Sequence, residues 1–398
     1  MSKTSKMVTA TILSMSLLTV MAAAAIAPAM GIIRHHFASA PDMMIQLIIS
    51  LPALFIILTN LCFLPISRIL RTRAIAIIGL VLYVVAGTGC FFIDNLHVLL
   101  VMRALLGVSV GLIMPLSTGL LSYFYPPEEQ ARLMGLSAAM NQMGGVIGTL
   151  LAGILASIQW NYSFLVYLFG LIALLMIIRW LPNEKLGSSN KRGKAFEPRQ
   201  LLKFHPSVIG MLLLTMVFFV FPTNFAIITS RQLHLDTATI TFIMVALDLL
   251  AFFVGLVFGR LMHSFRTSIK FFPPIALIVG YLFYAEASNI TMLLIGSAFI
   301  GLGNGIGVPY LLTIASIKGG KNSATTVMPL LSASLYLGQF ISPVVILPLA
   351  EMLFDTNDIV GPYRVAVLIS ILFLIQVWLT RRFQSLPPEK QHLYTQKK

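Results

Sequence analysis

RALLGVSVGLIMP, from Arg103 to Pro115, sets an arginine inside an apolar segment and follows it with Gly107, Gly111 and Pro115 at steps of four. The stretch has a counterpart 194 residues further on. There GLGNGIGVP supplies Gly301, Gly305 and Pro309, and the same offset carries Gly144 of MNQMGG to Gly338 of LYLGQF. Ser297 stands where Arg103 would fall, so the scaffold is repeated and the charge is not. Small residues at every fourth position let apolar helices approach closely. A repeat joining segments of equal rank is the sign of two halves built alike.

Working outward, composition fixes the environment. Of 398 residues, 58% are hydrophobic and 10% charged, against about 25% charged in a soluble domain. A spanning helix needs about 20 apolar residues, and over such lengths in lipid only a helix pairs its own backbone groups. The apolar runs predict twelve spans, at 8–33, 43–63, 74–93, 96–123, 133–158, 162–181, 208–229, 237–258, 269–285, 291–317, 323–349 and 364–379. The first run is too long for the core of a secretory signal, so it is expected to remain as span 1. The expected fold is an all-α membrane protein of twelve transmembrane helices in two pseudo-symmetric six-helix bundles. Residues 1–181 and 207–382 form the bundles, 182–206 a basic linker against lipid headgroups, and 383–398 a polar tail.

The net charge of +14 could indicate nucleic acid, but the distribution argues otherwise. With the amino terminus inside, Lys3, Lys6, Arg68, Arg71, Arg73, Arg179, Arg260, Lys318 and the linker bases share one side, and Arg34, Arg231 and Arg364 lie on the other. This positive-inside pattern predicts a multi-pass cell-membrane protein with both termini cytoplasmic. Bases scattered over many short loops form no nucleic-acid surface. Cys62 and Cys90 lack paired spacing, so neither a disulfide nor a metal site is expected, and both read as packing residues. GLGNGIG has no phosphate-loop lysine, and neither HExxH nor a nucleophile elbow occurs. No enzyme, cofactor or metal is expected.

Six spans plus six around a basic loop, with Arg103 and Gly107 in LLVMRALLGVSVG, resemble the major facilitator superfamily and its helix 4 motif. AIAPAMGII, with Pro28, and GGVIGTLLAG, with Gly144, Gly148 and Gly153, are similar to the helix 1 ending and helix 5 motif of its twelve-span drug:proton antiporter branch. There are departures. Thr149 and Ala152 replace a proline and a glycine of the helix 5 motif. FLPISRILRTR keeps Arg68, Arg71 and Arg73 but has Phe63 and Ser67 for the family's glycine and aspartate; GLVFGRLMHSFR keeps Gly255 and Arg260 but has Gly259 at the acid's place. The resemblance implies the major facilitator fold and alternating-access transport of a small molecule coupled to protons; a monomer in the lipid bilayer is expected. It also implies a cavity lined by helices 1, 4, 7 and 10. On this chain Thr19, Met21, Phe218, Phe221, Asn224, Asn304 and Tyr310 are the candidates, with Asn141, Tyr336 and Gln339 reaching in from spans 5 and 11.

Arg103 lies about 10 Å down its helix at 1.5 Å per residue. A charge there costs at least a few kcal/mol in hydrocarbon, so it should face the interior with a partner. Two readings stand: a group tuning a proton site or meeting an anionic part of the cargo, or an arginine drawn to the interface or pinned to backbone carbonyls. Asp248, the acid near the middle of span 8, reads either as the proton-coupling site or cation anchor, or as a buried acid bonded within its own half. Gly107, Gly111, Pro115, Gly144, Gly148, Gly153, Gly301, Gly305 and Pro309, with Arg68, Arg71 and Arg260, are expected to serve packing and gating. Asp42, Asp94, Arg34, His35, His36, Glu286 and Glu351 fall near external helix ends, where solvation is the expectation. The leading function is proton-coupled efflux of small lipophilic or amphipathic compounds. The alternative is proton-coupled uptake of a small organic anion or metabolite, with Arg103 as the anion site.

Overall fold

The computed structural model of the chain describes residues 3–125, 127–183, 198–319, 327–355 and 358–380. Its helices are α1 (Lys3–Ala24), α2 (Met30–His36), α3 (Asp42–Ile69), α4 (Thr72–Gly89), α5 (Leu96–Phe124), α6 (Pro127–Ala156), α7 (Phe169–Trp180), α8 (Pro198–Phe218), α9 (Val220–Gln232), α10 (Thr237–Phe265), α11 (Phe272–Ala285), α12 (Ile290–Gly319), α13 (Met328–Leu353) and α14 (Gly361–Leu379). Among the described residues there is no strand, and twelve helical stretches are long and apolar enough to cross a membrane. Residues 184–197 of the expected linker and the expected tail at 383–398 lie outside the described residues. Residues 198–206, expected in the linker, are helical instead. Pro198 opens α8, a position where its missing N–H is no loss, and the Gln, Leu and Lys residues after it are good helix formers.

The repeat governs how spans 4 and 10 begin. The Asn95 side chain caps α5, accepting from the N–H of His97 at 3.0 Å and of Val98 at 3.3 Å. Asn289, at the 194-residue offset, accepts from the N–H of Met292 at 3.0 Å at the head of α12. Each such cap stabilises its helix by about 1 kcal/mol.

Spans 1 and 7, expected as continuous helices, are both broken. α1 stops at Ala24, a 3-10 turn covers Ala27–Ala29, and α2 completes the span. Span 7 passes from α8 to α9 across Phe219. Pro28 and Pro222 stand beside these breaks, again 194 residues apart. Proline has no N–H to give and its ring crowds the carbonyl four residues back. By contrast α5 and α12 run unbroken through Pro115 and Pro309. The repeated glycine stretch is thus a packing surface, and the helix breaks lie in a different pair of spans.

Two compact units result: Met1–Lys191 with Pro222–Val245, and Arg192–Phe221 with Ala246–Lys398. In the first, α1 packs on α6, α3 on α5, and α4 on α5 and α7; in the second, α8 packs on α13, and α11 on α12 and α14. The α1–α6, α4–α5 and α4–α7 pairings of the first unit correspond to α8–α13, α11–α12 and α11–α14 of the second. The glycines set the helix spacing in both. A Cβ on Gly107 would overlap the Pro52 carbonyl oxygen, and one on Gly111 would lie 2.6 Å from Thr59 Cβ. On α12, a Cβ on Gly301 would lie 3.1 Å from Leu247 O and one on Gly305 2.9 Å from Ala251 O. Gly144 meets the carbonyl of Leu17 in the first unit, as Gly338 meets that of Leu212 in the second.

Candidate transport site

Arg103 is fully buried on α5, while Val101 and Leu105 of the same helix face outward at 59% and 38% exposure. Its guanidinium is held by three acceptors. Nε donates to Ile48 O at 2.7 Å, Nη1 to the Tyr167 hydroxyl at 2.7 Å, and Nη2 to Ala22 O at 3.1 Å. Tyr167 also donates to Ala22 O at 2.9 Å, and its ring centroid lies 5.5 Å from the guanidinium carbon. Each carbonyl has a reason to be open: Ile48 O sits four residues before Pro52, which has no N–H, and Ala22 O lies where α1 ends. Tyr83 extends the cluster, donating to Leu18 O at 3.2 Å and meeting Tyr167 edge-on. Gly87 leaves room for Tyr167, since a Cβ there would overlap its ring. Of the two readings of Arg103, the geometry matches the arginine pinned to backbone carbonyls.

Along the seam of α1 and α6, polar pairs alternate with glycine contacts. Ser16 and Ser137 share a 2.7 Å bond, and Thr19 donates to Asn141 Oδ1 at 2.8 Å and to Ser16 O at 2.7 Å. Thr9 meets the Tyr125 hydroxyl at 2.5 Å, at the end of α5. Met21 is fully buried against Gly148, whose Cβ would lie 3.0 Å from Met21 Cγ. Gly153, further along α6, faces Thr241 at the start of α10. Two cavity candidates, Thr19 and Asn141, are therefore bonded to each other, and Met21 packs in the seam.

Asn224, on α9, is bonded to a residue the sequence reading did not single out. Gln46 Nε2 donates to Asn224 Oδ1 at 2.6 Å, and Asn224 Nδ2 donates to Thr223 Oγ1 at 3.0 Å. Gln46 and Asn224 are 2% and 4% exposed, and Gln46 Oε1 is buried without a hydrogen-bond partner. Nearby, Asp42 receives the Nε of Arg34 and lies 3.9 Å from Arg231 Nη1. A cavity of about 540 Å³ opens there, lined by Pro28, Ile32, Arg34, His35, Arg231 and Asp236 among others. Thr239 donates to the exposed Asp236 carboxylate at 2.6 Å and holds it below the usual carboxylate range. His36 bonds Asp94 at 2.5 Å and lies against the Trp160 ring. At these helix ends Arg34 is thus paired with Asp42 and His36 with Asp94, while His35, Glu286 and Glu351 are exposed.

In the second unit Ser297, the counterpart of Arg103, bonds the Tyr284 hydroxyl at 2.6 Å. Tyr281, Tyr284 and Tyr363 pack edge-on or tilted against one another, and Phe221 adds a ring 6.1 Å from Tyr284. Phe218 is half-buried beside Phe219 at the break of span 7. Asp248 is partly exposed on α10 rather than enclosed, because that helix is covered on one side only: Phe242, Phe253 and Leu256 are exposed. Asn304 and Tyr336 are half-buried; Tyr310 and Gln339 are buried. Arg68, Arg71 and Arg260 are exposed. Cys90 is buried as a packing residue, but Cys62 is exposed, a correction that follows from its place on the outward side of α3.

Tyr83, Tyr167, Tyr281 and Gln46 escaped the sequence reading. A tyrosine in an apolar span reads as packing, and only the carbonyls it meets reveal its hydroxyl's task. Gln46, an amide near the start of a span, was the one visible signal.

Residues 12–343 match the family profile of the Major Facilitator Superfamily. Among curated relatives, the quinolone resistance protein NorA of Staphylococcus aureus (strain MSSA476) is 25% identical over 347 residues, covering 81% of each chain. Among solved structures, the D-xylose-proton symporter superposes with a TM-score of 0.75 at 13% identity, covering 96% of this chain and 99% of its own. A bacterial homolog of the human lysosomal transporter Spinster, inward-facing and unoccupied, gives 0.74 at 15% identity, covering 98% and 100%. At those identities the structures establish the fold.

Proposed function

The chain belongs to the major facilitator superfamily, whose members carry small molecules across membranes, and from that premise we propose that it exports small lipophilic or amphipathic compounds in exchange for protons. The observation carrying this reading is the distribution of charge at membrane depth. Among the described residues, Asp248 is the carboxylate near the middle of a span, and Arg103 has every side-chain nitrogen engaged by protein groups. An interior so poor in charge suits apolar cargo, and one mid-span acid suits proton exchange. The glycine face of α6 against α1 and the similarity to a quinolone resistance protein support the same direction. The uptake alternative required Arg103 to meet an organic anion. Its occupied guanidinium gives that reading less support.

In this reading both termini are cytoplasmic, the chain acts as a monomer, and Asp248 takes a proton from outside and releases it inside as cargo leaves. Cavity walls come from Phe218, Phe221, Asn304, Tyr310, Tyr336 and Gln339. The test is a susceptibility panel of cells with and without the chain, followed by everted vesicles acidified inside. Lipophilic cations that drain the proton gradient support export. Accumulation of an organic anion by whole cells, with no change in susceptibility, overturns it.

A further inference from the structure

The two broken spans are held in different ways. At the break of span 1, the charged guanidinium of Arg103 and the Tyr167 hydroxyl converge on Ala22 O, with Ile48 O engaged as well. At the break of span 7, one neutral hydroxyl reaches in from α11. Tyr281 donates to Val217 O at 2.6 Å, lies 3.4 Å from Phe218 O, and has the backbone N–H of Phe221 within hydrogen-bonding reach. In an unbroken helix Val217 O would take the N–H of Phe221 and Phe218 O that of residue 222, which is proline and has none. The Tyr281 hydroxyl therefore serves the carbonyl of the rung interrupted at the break, with the Phe221 amide beside it.

We propose that Tyr281 is a positioning residue for transport, its hydroxyl acting as a removable rung that sets the angle of the outer segment of span 7, Val220–Gln232, on the inner segment. Three observations carry this. A hydroxyl has one proton, and two carbonyls compete for it, so the bond can pass from Val217 to Phe218 as the segment tilts. Tyr281 is fully buried among Tyr284 and Tyr363, with ring centroids at 6.0 and 5.9 Å, so water does not compete. Pro222, which has no N–H to give Phe218 O, follows directly after the rung. In span 1 the Ala22 carbonyl is held by two donors, the charged Arg103 Nη2 and the Tyr167 hydroxyl, whereas span 7 has the single hydroxyl of Tyr281, and it is span 7 that bends. The bending serves the transport reading above, but its test does not depend on any cargo.

Spin labels at Ile209 and Gln232, both exposed, are introduced into the full chain carrying Cys62→Ala, and the distance between them is read in lipid nanodiscs. Tyr281→Phe, which keeps the ring and loses the hydroxyl, is expected to broaden or shift the distance distribution, while Tyr167→Phe leaves it unchanged. Pro222→Ala, which restores the N–H for Phe218 O, is expected to narrow it, and keeps the test open if Tyr281→Phe fails to fold. With ethidium as the transported probe, Tyr281→Phe should lower maximal rate more than apparent affinity. Distance distributions for Tyr281→Phe and Pro222→Ala that both match the parent would overturn the proposal, whatever the transport assay shows.

Discussion

Arg103 Nε donates at 2.7 Å to the carbonyl of Ile48, which Pro52 leaves without its helical partner. A charge on α5 thereby repairs a defect in α3, and its other nitrogens serve the end of α1 and Tyr167. Lysine offers one nitrogen and cannot reproduce the fork. Arg103→Lys is therefore expected to resemble Arg103→Ala, each losing about 2–4 kcal/mol of stability. Thermal unfolding of the purified protein checks this; a lysine variant as stable and as active as the parent would show that charge alone matters.

The α1–α6 seam makes a sharper prediction about size. A methyl group on Gly144 would overlap Leu17 O, whereas one on Gly135 of the same helix meets nothing within 4 Å. Gly144→Ala should cost about 1–3 kcal/mol, and Gly135→Ala should be neutral or stabilising by up to about 1 kcal/mol. Melting temperatures of the two variants measured side by side decide it.

Gln46 and Asn224 are expected to behave as a pair. Either single change to leucine leaves a buried amide without its partner, at about 1–3 kcal/mol, while replacing both removes the need. The double variant Gln46→Leu/Asn224→Leu should therefore melt closer to the parent than either single variant. Additive losses would deny the coupling.

For Asp248, the expected outcome is separation of coupling from movement. Asp248→Asn should abolish gradient-driven export in everted vesicles yet still allow cargo to run down its own gradient, and Asp248→Glu should retain part of the driven rate. Driven export at the parental rate in Asp248→Asn would remove this carboxylate from the coupling step.

The twelve spans and the doubled scaffold were legible because hydrophobic runs and glycine spacing are local in sequence. Gly107, Gly111, Gly144 and their copies could be read as close-packing positions from spacing alone, and a Cβ on each would meet a neighbouring helix at 3.1 Å or less. Arg103 was legible as a buried charge, but not its acceptors, since carbonyls carry no sequence signature and Ile48, Ala22 and Tyr167 come from three other spans. The breaks at Pro28 and Pro222 were masked by unbroken hydrophobicity, which registers lipid exposure and is blind to hydrogen-bond ladders. Asp248 was correctly placed on span 8, while its partial exposure depends on which helices cover α10, information spread across the chain.

Thr9, Ser16 and Thr19 lie on one side of α1 and meet Tyr125, Ser137 and Asn141, with Gly144 and Gly148 seated against Leu17 and Met21. An oily interface can slide by a residue at little cost, but a slip here would strand several hydroxyls and drive a carbonyl into a glycine's place. The seam works like a splined shaft: α1 and α6 must turn and tilt as one body. Sliding of one helix along the other would break these pairs together, so the seam resists a change of register.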